Sequence, residues 1–231
     1  MKNYFQTHPF WKIGVLIIPL VLFIFLMGRF FPKEAPEGFS SYIVAFEFAK
    51  TPADLQQLLG NLPKKAIHKI DVGNLLDFGF MATYTALLIL SFLRFSKEFS
   101  KKWLKLGVVL AIIILLGDFT ENIFLLRLTD NFLTSAPEET IVSNLSRLHI
   151  FTWIKWGTLA VAFFLLYTIF YRKKWYIEIV GVTVIFPLLF LIATPKHTPQ
   201  ILTVFTNSIF LCFAVLMVYL FVYQKKVHKK S

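Results

Sequence analysis

Hydrophobic residues fall in long unbroken runs separated by short clusters of lysine and arginine. They do not show the two-residue alternation of half-buried strands. The runs lie at about residues 12–31, 71–94, 105–127, 149–172, 175–194 and 201–223. Each is close to the ~20 residues that cross ~30 Å of hydrocarbon at ~1.5 Å per residue. The pattern predicts an all-α, polytopic membrane protein: a six-span helical bundle, with residues 1–231 forming a single membrane domain. A membrane barrel is excluded because alternating segments of ~10 residues do not occur. Pro19 and Pro187 fall inside runs, where they predict kinks. The first run is longer than a secretory h-region and exits through GRFFPKE, with no small-x-small cleavage site, so it reads as a retained span.

Between the first two runs, residues 32–70 predict a small helical cap on the outer face. SSYIVAFEFAK is apolar enough to lie at the interface. TPADLQQLLG predicts a short helix with Thr51 as N-cap, Pro52 at N1, Asp54 at N3 and Gly60 as its stop. Leu55, Leu58 and Leu59 on that helix face either membrane or bundle. A further helix opens after Pro63 and runs into the second span. Ser135 and Glu138 predict a capping box ahead of a helix from Ala136 to Arg172, about 55 Å long, which exceeds the bilayer and must project outward, tilt or break.

Charge sets the orientation. Arg94, Lys97, Lys101, Lys102 and Lys105 follow span two, Arg172, Lys173 and Lys174 follow span four, and Lys225, Lys226, Lys229 and Lys230 occupy the tail. With Lys2 and Lys12 at the amino end, six spans put all of these on one side. The positive-inside rule then makes both termini cytoplasmic, in a cell inner (plasma) membrane. The net charge of +11 therefore speaks for the lipid bilayer as partner, and nucleic acid is not expected, since no soluble basic patch is formed. A mean hydropathy of +0.67 excludes a disordered chain and argues against a soluble enzyme. The single cysteine, Cys212, excludes an internal disulfide and a cysteine zinc site.

The candidate chemistry is a polar layer inside the apolar runs. Counted from the nearest inner basic anchor, Asp77, Glu121, Lys155, Arg29 and Asn207 stand 16 to 18 residues along their helices, about 24–26 Å. Asp118 lies one turn deeper than Glu121 and Tyr84 two turns deeper than Asp77. In GDFTEN, Asp118, Glu121 and Asn122 share a helix face, as do Thr152, Lys155 and Trp156 in TWIKW. Charge facing lipid is costly, so these faces point inward. Arg29 and Lys155 against Asp77, Asp118 and Glu121 leave one carboxyl in excess. His149, at the outer mouth of span four, could join Asp77 and Glu121 at a metal, but D-x-x-E does not match the E-x-x-H of carboxylate bundles, and no metal is expected. No P-loop, dinucleotide fingerprint, nucleophile elbow or zincin motif occurs, and no cofactor is expected.

FEFAKTP, LDFGFMATY, GDFTENIFLLRL and TWIKW, over roughly residues 43–165, resemble bacterial six-span membrane proteins that carry an LDF…D-x-x-E-N…T-x-x-K pattern and have no assigned activity. The resemblance implies that these segments form one unit and supplies no substrate. The residues themselves predict a charged, polar site in the outer half of the bundle that binds a small amphiphile or a lipid head group. The rival readings are a proton-coupled transporter, a membrane-embedded lipid-modifying enzyme using Asp or Glu as acid and base, and a structural network with no ligand.

Overall fold

The computed structural model describes residues 10–170 and 198–223, the side chains of 167–170 excepted. It is all-helical: among the described residues there is no strand. Helix α1 (Trp11–Gly14) and helix α2 (Ile17–Met27) are two pieces of the first apolar run. The break at Val15–Leu16 has a direct cause, because Pro19 has no N–H to give the carbonyl four residues back and its ring crowds that carbonyl. Two short helices follow, α3 (Tyr42–Glu47) and α4 (Pro52–Leu59). Long helices α5 (Lys64–Glu98), α6 (Leu106–Leu133), α7 (Glu138–Phe170) and α8 (Pro199–Val222) make the bundle.

Four helices, one in each of the segments 64–98, 102–133, 138–166 and 199–222, are long and apolar enough to cross a membrane, and Trp11–Met27 is a shorter apolar stretch. The fifth predicted span, 175–194, lies outside the described residues, as do Pro187 and the basic cluster 172–174. Central helix α6 packs against α5 on one side and α7 on the other, while α2 lies against α5 and α8 touches α7 and α1.

The helix ends show how sequence sets the boundaries. Thr51 caps α4 as predicted: its hydroxyl accepts from Asp54 N, and the Asp54 carboxylate accepts from Thr51 N at 2.9 Å. Pro63, extended at φ −66° and ψ 149°, opens a single helix that runs on through the second apolar stretch. Ser135 corrects the predicted capping box. It has φ +54°, which an N-cap does not adopt, and it belongs to the end of α6. Ser135 N donates to Phe132 O and Ala136 N to Asn131 O, the paired bonds of a left-handed helix stop. Ser100, φ +55°, ends α5 with the same two bonds, from Ser100 N to Lys97 O and from Lys101 N to Ser96 O.

The cap is buried more deeply than its composition predicts. In helix α3 Phe46 is fully buried, and Tyr42, Ala45 and Glu47 are also inside. Its apolar side chains join Leu55, Leu58 and Leu59 of α4 in a second core over Ile67 and Ile70 of α5, Leu125 and Leu128 of α6, and Leu145 and Leu148 of α7. The three leucines of α4 thus face the bundle. The Tyr42 hydroxyl, donating to Leu58 O at 2.9 Å, ties α3 to α4. Gly38, at φ +87°, turns the chain so that its carbonyl accepts from the Thr203 hydroxyl of α8 at 2.9 Å. At the opposite end of the bundle, the Phe10 ring meets Phe95 of α5 edge-on at 4.9 Å and Tyr223 at 4.9 Å, gathering α1, α5 and α8.

Two glycines of α6 permit close approaches to neighbouring helices. A Cβ at Gly117 of α6 would come within 3.2 Å of Lys155 N, and one at Gly107 would lie 2.2 Å from the Phe92 ring. Gly117 brings α6 and α7 together at the residue next to Asp118, so the backbone contact and the charge contact occur at one level.

If α3 is part of the core, Phe46→Ala leaves a cavity and destabilises the protein by about 3–5 kcal/mol, the usual range for buried Phe truncation. Denaturation in mixed micelles measures this, and a loss below about 0.5 kcal/mol, typical of exposed sites, would return α3 to the surface.

Candidate functional site: a buried carboxyl cluster around Lys155

Antiparallel packing brings the polar faces together in register. Pairs Asp71–Thr129, Asp77–Asn122 and Tyr84–Asp118 step along α5 as they step back along α6. Glu121–Thr152 and Asp118–Lys155 do the same between α6 and α7. Helical spacing on each chain segment is thus converted into one contiguous layer.

The layer centres on the Lys155 ammonium, which is 5% exposed as a residue. Its Nζ lies 3.0 Å from Glu47 Oε1 and 3.3 Å from Asp118 Oδ1, and it pairs closely with Glu121 Oε2. It also sits 5.1 Å from the Trp156 ring centroid. Each carboxyl has a second donor. Trp156 Nε1 donates to Glu47 Oε2 at 2.8 Å, and the Tyr84 hydroxyl donates to Asp118 Oδ2. The Thr152 hydroxyl lies 2.6 Å from Glu121 Oε1 and 2.9 Å from Glu47 O, and its one hydrogen serves one of them at a time. Next along α5, Asp77 accepts from Asn122 Nδ2 at 2.7 Å through Oδ2.

Of the residues predicted for the site, Asp77, Tyr84, Asp118, Glu121, Asn122, Thr152 and Lys155 converge here. Arg29 does not. It is exposed in the turn after α2, with its guanidinium over the Phe25 ring at 4.5 Å. Asn207 does not either: it is exposed on α8 and accepts from the Ser40 hydroxyl at 3.3 Å, lacing the cap loop to that helix. His149 packs edge-on to Trp153, at 6.2 Å between ring centroids, rather than joining Asp77 and Glu121. Among the described residues no three acidic, histidine or cysteine side chains stand close enough together to hold a metal ion.

Glu47 is the residue that sequence reasoning missed. Its signal is a lone carboxyl in the apolar segment SSYIVAFEFAK, which no count from a basic anchor places in the layer. With Arg29 absent and Glu47 present, four carboxyls share the layer with one ammonium.

A cavity of about 450 Å³ opens onto the cluster. Its polar wall holds Glu47, Asp77, Tyr84, Asp118, Lys155 and Trp156. The rest is mostly apolar and aromatic, with Ile24 and Met27 of α2 and Ile209, Phe210 and Phe213 of α8 among its lining, and it reaches Pro32, Lys33, Ser40 and Ser41 of the cap loop.

Lys155→Met leaves Glu47, Asp118 and Glu121 without their cation and is expected to destabilise by about 3–5 kcal/mol, as for other broken buried pairs. Adding Glu121→Gln should restore part of that loss. A double-mutant cycle on unfolding checks the coupling, and strict additivity would remove Lys155 from the cluster.

In comparisons with protein-family models, with curated proteins and with solved structures, nothing matches this chain, so the site is read from its own geometry.

Proposed function

We propose that this is a multipass protein of the bacterial plasma membrane that binds a small amphiphile or lipid head group in the cavity beside Lys155. The observation that carries the reading is the two-sided cavity itself. About 450 Å³ falls within the ~300–1,000 Å³ of small-molecule sites. One wall supplies hydrogen-bonding and charged groups, while Ile24, Met27, Phe210 and Phe213 supply an apolar surface suited to an alkyl chain. A network that served only to hold helices in register would be packed against itself on all sides. Here Asp77 and Asp118 also line open space.

The two-sided cavity also favours this reading over the rivals. A proton-coupled transporter needs a polar path to the far side, whereas among the described residues the packing beyond Tyr84 is mostly Leu87, Leu88, Phe92, Ile114 and Ala111, with Thr85 and Ser91 as buried hydroxyls and no ionisable side chain among them. A lipid-modifying enzyme needs a nucleophile, metal or held water, and the carboxyls of the cluster are mostly occupied by Lys155, Trp156, Tyr84 and Thr152.

In the orientation we propose, both termini are cytoplasmic, which places the cap and the cavity mouth on the outer side. Reporter fusions after Lys65 and after Lys174 are expected to report opposite sides of the membrane, and the same side for both would overturn this topology.

A photoactivatable single-chain monoacylglycerol, added to the protein in phosphatidylcholine nanodiscs, is expected to label peptides around Met27–Glu47 and Phe205–Phe213. Met27→Trp, which fills the apolar wall, should abolish that labelling. Labelling confined to lipid-facing positions such as Ile18 and Val218, and unchanged by Met27→Trp, would contradict the reading.

A further inference from the structure

The reading of the cavity leaves the polar end of its occupant open, and the charge arrangement fixes it. Lys155 is engaged by three carboxyls, Glu47, Asp118 and Glu121. Asp77 is the fourth acid of the layer and is 7% exposed. Its Oδ2 accepts from the neutral amide of Asn122, which brings no charge. Among the described residues no ammonium or guanidinium pairs with Asp77, and its Oδ1 has no partner. The same carboxylate lines the cavity. A buried carboxylate without a cation is costly, so the group that enters beside it is favoured if it carries positive charge.

The surroundings discriminate between kinds of cation. A divalent metal needs several oxygens converging on one point; the oxygens that do converge, from Glu47, Asp118 and Glu121, are taken by Lys155, and among the described residues no group of three acidic, histidine or cysteine side chains is placed to hold a metal ion. The cavity that Asp77 lines is also lined by aromatic side chains, Phe31, Tyr42, Phe80 and Phe213. Aromatic faces attract organic ammonium groups when these are desolvated, and a carboxylate beside them supplies the charge-assisted hydrogen bond.

The geometry points to an amine-bearing amphiphile as the ligand, its ammonium on Asp77 Oδ1 and its alkyl chain along the apolar wall formed by α2 and α8. This rests on the amphiphile reading above and narrows it to one class of head group. The Asn122 amide holds the Asp77 carboxylate through Oδ2, and no hydrogen bond or ion pair among the described residues takes Oδ1. Lys155 pairs with the neighbouring acids and forms no ion pair with Asp77, so of the carboxyls that line the cavity Asp77 is the one left without a cation.

The test compares three photoactivatable probes of equal chain length, an alkylamine, an alcohol and an alkyl sulfate, with the full-length protein in phosphatidylcholine nanodiscs. Concentration-dependent labelling of the cavity peptides gives an apparent affinity for each. The amine is expected to bind about tenfold or more tightly than the alcohol, the scale of a charge-assisted bond in a desolvated site, and the sulfate not at all. Asp77→Asn, which keeps the shape and the Asn122 contact, should bring the amine down to the alcohol's affinity and leave the alcohol unchanged. Equal binding of amine and alcohol by the parent protein, which needs no variant to fold, would overturn the amine assignment while the amphiphile reading stands. So would an amine preference that survives Asp77→Asn. Protection by sodium ion alone, with the amine no better than the alcohol, would give the site to an inorganic cation and overturn the assignment as well. Failure of all three probes to label the cavity overturns both readings together.

Discussion

A single buried ammonium organises this protein. Lys155 cannot face lipid without a large desolvation cost, and it cannot be buried alone. It meets that constraint by gathering Asp118 and Glu121 from α6 and Glu47 from α3 around one nitrogen. The consequence reaches beyond the pair. Helices α6 and α7 must approach closely, which Gly117 allows, and the short helix α3 must come down into the bundle instead of resting on it. The cap and the membrane helices are therefore joined by the same atoms that form the candidate site.

Around that point the packing is ordinary. The apolar faces of α3 and α4 cover the ends of α5, α6 and α7 and form a second core continuous with the charge layer. At the opposite end an aromatic cluster around Phe10 draws α1, α5 and α8 together. The polar layer lies between these two apolar regions, and the cavity enters it from the side lined by α2 and α8. A site placed there is shielded enough for charge to count and open enough for a ligand of modest size.

Much of this was legible in the chain itself, for identifiable reasons. Helical spacing put Asp118, Glu121 and Asn122 on one face and Thr152 and Lys155 on another, and burial cost turned both faces inward. Depth counting from the basic anchors put Asp77 level with Glu121, and in the structure Asp77 meets Asn122, the residue next to Glu121, across two antiparallel helices. Depth says nothing of azimuth, however. Arg29 and Asn207 turn outward: Arg29 follows α2, which is apolar all round, and Asn207 lies on α8 among Thr203, Thr206 and Ser208, so no pattern marks an inner face. Glu47 was out of reach because it lies outside the spans, on a six-residue helix with no anchor to count from. Ser135 matched a capping box by letter, but the chain needs a left-handed residue there to end α6, and that requirement prevailed.

The central claim is that Lys155 holds helix α3 within the bundle. Amide hydrogen exchange read by mass spectrometry in nanodiscs tests it most directly, by comparing residues 42–49 in the parent protein and in Lys155→Met. The account predicts strong protection of that segment in the parent. In the variant it predicts exchange faster by about tenfold or more, as for a locally opened element, with α6 still protected. Exchange of residues 42–49 at the rate of an open loop in the parent, or unchanged protection in the variant, would contradict it.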